Sequence, residues 1–150
     1  MRFELTRHVA RPPAAVFAFL RDKHQHAQEA RSPVLALEKT TSGPVGVGTG
    51  FREVVRVLPC LRCTIRSVVT RCDADRVLEE RYAGCGMRGH LAYRFAPEGG
   101  GTRLTQRQTL FLAWWLRPLE PLVRRAFGRR LAWRLDGIAA RLGAPVAAED

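Results

Sequence analysis

Two glutamates carry the chemistry that the sequence suggests first. Glu53 and Glu80 lie in stretches where apolar and polar residues alternate, and each falls in the apolar register of its stretch. Two carboxylates facing an apolar interior would have a raised proton affinity, so one could act as a general acid or base on an enolisable ketone. Tyr93, in the same register of a later stretch, could donate a hydrogen bond to the reacting oxygen. Glu53, Glu80 and Tyr93 are therefore the candidate catalytic residues if the protein is an enzyme. The alternative is that each glutamate forms an ion pair with a nearby arginine.

Two glutamines interrupt another apolar register. Gln106 and Gln108 lie between Leu104 and Leu110, which mark the inward side of the last predicted strand. Because a buried amide without a partner costs about 1 to 3 kcal/mol, each should meet a ligand, a water or another side chain. The alternative is that the glutamines bond Tyr93 or one another and only tie the sheet together.

The cysteines and histidines do not form a recognisable metal site. Cys60 and Cys63 have the spacing of a zinc knuckle or redox pair, but Cys72 and Cys85 stand apart instead of forming a second close pair. The sequence thus predicts free, buried or half-buried thiols in a reducing compartment, with no metal and no cofactor. Histidines 24 and 26 are too close in sequence to share one helical face, so they are predicted to lie on the surface.

The elements that must position these residues are mostly strands. Alternation predicts six to seven of them, at about 3–9, 34–39, 51–57, 62–70, 77–82, 90–95 and 104–110. A proline pair at 12–13 followed by Val16, Phe17 and Leu20 predicts a short helix, and residues 23–31 a second short helix or turn. The glycine-rich stretch 41–50 lacks the lysine of a P-loop and precedes a strand, so it is predicted to be a connector.

The chain closes with a long amphipathic helix running to Gly143. Phe127, Leu131, Leu135, Ile138 and Leu142 recur at helical spacing and predict one apolar face. The arginines at 129, 130, 134 and 141 are predicted to point away from that face, and a kink or break is predicted near Gly128. The tail after the helix, about 143–150, should fray. An antiparallel sheet curved around this helix is the natural cover for its apolar face, and a gap between them would form a pocket.

Composition limits the partners. The 150 residues suit one domain, residues 1–150. The sequence has neither an apolar run long enough for a membrane span nor a secretory leader, so a cytoplasmic protein is expected. The net charge of +11 is scattered and comes almost entirely from arginine, which does not predict nucleic-acid binding. Trp114 and Trp115, near Arg117, are compatible with a weak contact with an anionic membrane. In the simpler interpretation one tryptophan packs in the core and the other lies at the edge of the pocket.

Several stretches resemble a known superfamily. The order of elements, with residues 12–17 (PPAAVF) opening a short helix after the first strand, resembles START-related SRPBCC, or helix-grip, proteins. Residues 43–49 (GPVGVGT) leading into 51–53 (FRE), 93–97 (YRFAP) and 101–105 (GTRLT) are similar to bacterial polyketide cyclase or dehydrase-like members.

The resemblance implies an α+β helix-grip fold, in which a curved antiparallel sheet of six to seven strands wraps a long C-terminal helix around an apolar cavity. It implies binding of a hydrophobic or amphipathic small molecule such as a lipid or polyketide. The alternatives are a cyclase or dehydratase, or a lipid carrier at the membrane surface; the oligomeric state stays open. By register, the predicted ligand-binding residues are Phe51, Glu53, Val55, Ile65, Tyr82, Leu91, Tyr93, Gln106, Gln108, Phe127, Leu131 and Leu135.

Overall fold

The computed structural model describes residues 1–25 and 34–143. Seven strands and two α-helices form the framework, so the predicted sheet and closing helix are confirmed. In chain order they are β1 (Arg2–Val9), α1 (Pro13–Arg21), β2 (Val34–Lys39), β3 (Gly50–Leu58), β4 (Leu61–Asp73), β5 (Val77–Gly84), β6 (Met87–Glu98), β7 (Gly101–Leu112) and α2 (Glu120–Gly143).

All seven strands form one antiparallel sheet in the order β1-β7-β6-β5-β4-β3-β2. Strands β2 to β7 follow one another as a meander, whereas β1 pairs with β7 from the far end of the chain. The strands β3, β5 and β7 finish at one end of the sheet, called the tryptophan end because Trp114 and Trp115 follow β7 there. Helix α1 and the glycine-rich loop lie toward the opposite end, called the α1 end.

The apolar core is concentrated near the α1 end. Prolines at the start of α1 suit its first turn, because proline has no amide hydrogen to leave unpaired there. Phe17 of α1 meets Phe95 of β6 edge-on, with 5.5 Å between ring centroids. Leu135 and Ile138 of α2 are buried in the same cluster, together with inward-facing residues of the sheet. The inward register predicted from alternation is the register that is buried.

Two short segments differ from the predicted helices. After α1 the chain makes a single 3-10 turn at Lys23–Gln25. Two predictions fall outside the described residues: the rest of the second short helix and the frayed tail beyond Gly143. Between β7 and α2, Trp114–Leu119 is 3-10 helix. Helix α2 is unbroken through Gly128, so the break expected there as one alternative is wrong. The glycine faces the Phe3 ring of β1, where a side chain would come within 3.7 Å of that ring.

The prediction of free thiols is wrong for two cysteines. Cys63 of β4 and Cys85 of the β5–β6 turn form a disulfide, with 6.0 Å between their Cα atoms. The pairing of β4 with β5 carries Cys85 to Cys63, which are 22 residues apart. Cys60 and Cys72 remain free thiols.

We predict that alkylation of the denatured protein, purified and unfolded without reductant, will modify Cys60 and Cys72 only. Peptide mass mapping should find the Cys63 and Cys85 peptides joined, and reduction before alkylation should release two further sites. Four adducts without reductant would contradict the disulfide.

Candidate functional site

The candidate site lies between the inner face of the sheet and α2, where the core becomes polar. Five of its residues form one buried cluster or pack against it: Phe51, Tyr82, Leu91, Tyr93 and Leu135. The other residues predicted to line it are also at least half-buried, namely Glu53, Val55, Ile65, Gln106, Gln108, Phe127 and Leu131. Phe127 packs on Phe3 of β1, with ring centroids 5.4 Å apart.

A chain of hydrogen bonds runs through the interior. Gln106 donates from Nε2 to Gln108 Oε1 at 3.1 Å, and Gln108 donates from Nε2 to the Tyr82 hydroxyl at 2.9 Å. Tyr82 in turn donates to the backbone carbonyl of Thr109 at 3.1 Å. The tyrosine reaches that carbonyl because Gly89, its partner on β6, has no side chain in the way. The glutamines therefore do bond one another, as the alternative interpretation expected.

Two polar atoms beside this hydrogen-bond network have no partner among the described residues. They are the Tyr93 hydroxyl and Gln106 Oε1, both buried without a hydrogen bond there. Tyr93 and Gln106 face each other across β6 and β7, so the two atoms share one stretch of the inner surface. Because an unpaired buried polar group costs about 1 to 3 kcal/mol, their position indicates a place for another polar group.

Each of the two glutamates has a cationic partner. Glu80, almost fully buried, accepts a hydrogen bond from Lys23 Nζ at 2.6 Å, and the Lys23 ammonium also lies 4.7 Å from the centroid of the Phe51 ring. Glu53 contacts Arg130 of α2 at the longer distance of 3.5 Å. This is the ion-pair alternative that the sequence left open, although the partner of Glu80 is a lysine.

Arg130 and Arg134 are site residues that the sequence analysis missed, because they were predicted to point away. At about 100° per residue, Arg134 lies only about 20° from Phe127 around the helix, so the apolar stripe itself could have indicated it. Burial lowers the pKa of Arg130, while the Glu53 carboxylate opposes that shift. The pKa of Arg134 is raised, first by Tyr93, against the opposing effect of burial, with further support from Glu53 and Glu80.

The interior carries a surplus of positive charge. Three cations, Lys23, Arg130 and Arg134, are associated with two carboxylates, Glu53 and Glu80. Lys23 and Arg130 each pair with one carboxylate, whereas Arg134 has no ion pair within 4.0 Å among the described residues. Since a partly buried cation without a close ion-pair partner is stabilised by added negative charge, the site favours an anionic or strongly polar group beside Arg134.

His24 also belongs to this interior, so its predicted surface position is wrong. Its ring centroid lies 5.8 Å from that of Phe51, and its Nδ1 is buried without a hydrogen-bond partner among the described residues. Within the same part of the chain, no cluster of His, Cys, Asp or Glu side chains is arranged to hold a metal ion.

A family model described as polyketide cyclase / dehydrase and lipid transport matches residues 1–143. The chain belongs to this family. Solved structures with the same fold include TTHA0849 from Thermus thermophilus, at 22% identity over 95% of this chain and 97% of that one, with a TM-score of 0.77. The Zhui aromatase/cyclase from Streptomyces sp. R1128 is 20% identical over 99% and 96% of the two chains, with a TM-score of 0.76.

A START superfamily protein from Mycobacterium smegmatis is 14% identical over 94% of this chain and 98% of its own, with a TM-score of 0.74. At these identities the similarity establishes the fold and not a shared ligand or reaction. No curated protein matches the sequence. The family match and the shared fold together support a ligand-binding fold of the polyketide cyclase type, without fixing a ligand or a reaction.

The two tyrosines provide a matched pair of hydroxyl deletions. Tyr82→Phe removes a hydroxyl that both accepts and donates, leaving Gln108 without its acceptor, so we expect a loss of about 1 to 3 kcal/mol in the free energy of unfolding. Tyr93→Phe removes a buried hydroxyl with no partner, so stability should be unchanged or should rise by up to about 1 kcal/mol. Urea unfolding of both variants measures the difference; equal losses would contradict the described network.

The same two tyrosines predict a dependence on alkaline pH. Burial raises the pKa of Tyr82 against the opposing hydrogen bond from Gln108, and raises the pKa of Tyr93 against the opposing charge of Arg134. Because the unfolded chain ionises near the ordinary value of 10.0 while the folded chain does not, stability should fall as pH rises above about 10.

The chain has only these two tyrosines, so tyrosinate absorbance in the near ultraviolet reports on them alone. We expect it to appear together with the loss of secondary structure as pH rises. Tyrosinate formation in the still-folded protein near pH 10 would contradict the burial of these hydroxyls.

Proposed function

We propose that the protein binds an amphipathic small molecule that carries an acidic or carbonyl group, between the sheet and α2. The observation that carries the proposal is the pair of buried, unpartnered atoms, the Tyr93 hydroxyl and Gln106 Oε1, in an otherwise largely apolar interior. Ligand pockets are mostly apolar with a few placed polar groups, and this interior has that composition.

The roles of the side chains follow from their chemistry. The Tyr93 hydroxyl can donate a hydrogen bond to a ligand oxygen, and Arg134 can neutralise negative charge on it. Gln106 Oε1 can accept a hydrogen bond from a ligand hydroxyl. Nε2 of the same amide already donates to Gln108, which holds the amide in place. The apolar body of the molecule would lie against Phe51, Leu91, Leu131 and Leu135.

Native mass spectrometry of the purified protein, followed by solvent extraction, is the first test. We expect a co-purifying molecule with an apolar body and an acidic or carbonyl group. A protein that carries no such molecule is tested further with a fluorescent polyunsaturated fatty acid and its methyl ester, which share the acyl chain but replace the charged carboxylate by a neutral ester.

The acid should bind more tightly than the ester. Arg134→Gln should weaken binding of the acid by on the order of tenfold and leave the ester nearly unaffected, because a charge-assisted hydrogen bond contributes about 1.5 to 3 kcal/mol. Arg129→Gln, an exposed charge on the same helix, is the matched control and should change neither. A clean native mass combined with no binding of acid or ester would overturn the proposal.

A cyclase or dehydratase is the second candidate. The unpartnered Tyr93 hydroxyl beside the positive charge of Arg134 could polarise a ketone, which favours this alternative. Glu53 is the more available acid or base, since its contact with Arg130 is 3.5 Å whereas Glu80 is held by Lys23 at 2.6 Å. With a ligand in hand, Glu53→Gln and Glu80→Gln should leave affinity almost unchanged in a binding protein but abolish turnover in an enzyme.

A further inference from the structure

All three tryptophans of the chain are exposed, which makes them unusual, because tryptophan is a highly buried residue on average. The exposed fractions are 81% for Trp114, 56% for Trp115 and 49% for Trp133. The prediction that one of the first two packs in the core is therefore wrong. Leu119 and Leu122, at 49% and 66%, lie in the same part of the chain. We call these five residues the tryptophan surface.

The local structure explains why these side chains face outward. The 3-10 segment Trp114–Leu119 begins beyond the last strand, at the tryptophan end of the sheet. The Trp115 ring lies against Gly86 of the β5–β6 turn, where a side chain would come within 2.6 Å of the ring. Leu122 and Trp133 lie on the side of α2 opposite Leu131 and Leu135, which are buried.

Positive charge surrounds this surface. Arg117, Arg124, Arg125 and Arg129 are all exposed between Trp114 and Trp133. Glu120 is the one acidic residue in that interval, and it contacts Arg124 at 3.6 Å. The surface therefore combines aromatic and aliphatic side chains with a clear excess of arginine.

We propose that the tryptophan surface docks on a lipid bilayer that contains anionic lipids, with α2 lying along the membrane plane. Tryptophan favours the boundary between head groups and acyl chains, and arginine next to it attracts anionic head groups. In the described residues no helix is long and apolar enough to cross a membrane.

Charge argues for a membrane over a second copy of the chain. A symmetric dimer through this surface would bring the exposed arginines of two copies together, and like charges at an interface are unfavourable. An anionic bilayer accepts both the apolar side chains and the positive charge. The proposal does not depend on the small-molecule site, since none of its residues contributes to that interior.

Flotation with neutral and anionic vesicles tests the docking. We expect the protein to float with phosphatidylcholine vesicles containing phosphatidylglycerol at low salt, and to dissociate at about 1 M salt, where charges are strongly screened. Because every tryptophan lies on or next to the proposed contact, the same binding should shift intrinsic fluorescence to the blue, and brominated lipids should quench it.

Pairs of matched variants identify which residues contact the membrane. Trp114→Ser should weaken binding, whereas Val47→Ser, which removes an apolar side chain 69% exposed in the loop at the opposite end, should not. Arg125→Gln with Arg129→Gln should weaken binding by roughly thirtyfold, at about 1 kcal/mol per arginine near the surface. Arg94→Gln with Arg103→Gln removes the same charge from the outer face of the sheet and should have a much smaller effect.

Three results would overturn the proposal. The first is an absence of flotation with anionic vesicles, and the second is a dimer in sedimentation equilibrium that Trp114→Ser dissociates. The third is flotation that Tyr93→Phe abolishes, which would mean that lipid is held in the interior and not at the tryptophan surface. Failure of the docking leaves binding of the soluble acid unchanged, so the two proposals can fail separately.

Discussion

The geometry of this protein depends on covering the inner face of a seven-stranded sheet with few helices. At a spacing of about 4.8 Å, seven strands span roughly 29 Å, whereas one helix is only about 10 to 12 Å wide. The backbone of α2 comes closest to β1, and α1 lies over β6 and β7. Much of the inner face must therefore be reached by long side chains, and Arg130 does so by extending from α2 to Glu53 on β3.

This arrangement places two kinds of polar group in the interior. The first kind is hydrogen-bonded within the protein: Gln108 bonds Gln106 and Tyr82, and Tyr82 bonds the backbone. These bonds fix the shape of the inner surface. The second kind is unused: the Tyr93 hydroxyl, which feels the charge of Arg134, and Gln106 Oε1 have no hydrogen-bond partner among the described residues. A rigid network next to unsatisfied groups is what a preorganised binding site requires, because little conformational entropy is lost when a ligand arrives.

The sequence predicted the parts of this structure that follow from local periodicity. Alternation gave the inward register of Phe51, Tyr93 and Gln106, and helical spacing gave the buried face of α2. Arg134 was missed because an arginine is normally expected to reach solvent, although its position about 20° from Phe127 in the apolar stripe could have indicated it. The Cys63–Cys85 bond depends on how β4 and β5 pair, which local patterns do not determine. The exposure of Trp114 was equally inaccessible, because burial of a large side chain depends on which elements remain to cover it.

The pairing of β1 with β7 has a consequence for the order in which the chain can fold. The meander from β2 to β7 consists of neighbouring hairpins, so each can close soon after its second strand leaves the ribosome. Strand β1 is made before the meander but has no partner until β7 is complete, since Phe3 pairs with Gln108 and Val9 with Thr102. It must thus wait as an unpaired strand while β2 to β7 are synthesised. Its outward side carries Arg2, Glu4, Thr6 and His8, polar side chains of the kind that discourage an edge strand from pairing with another chain in the meantime.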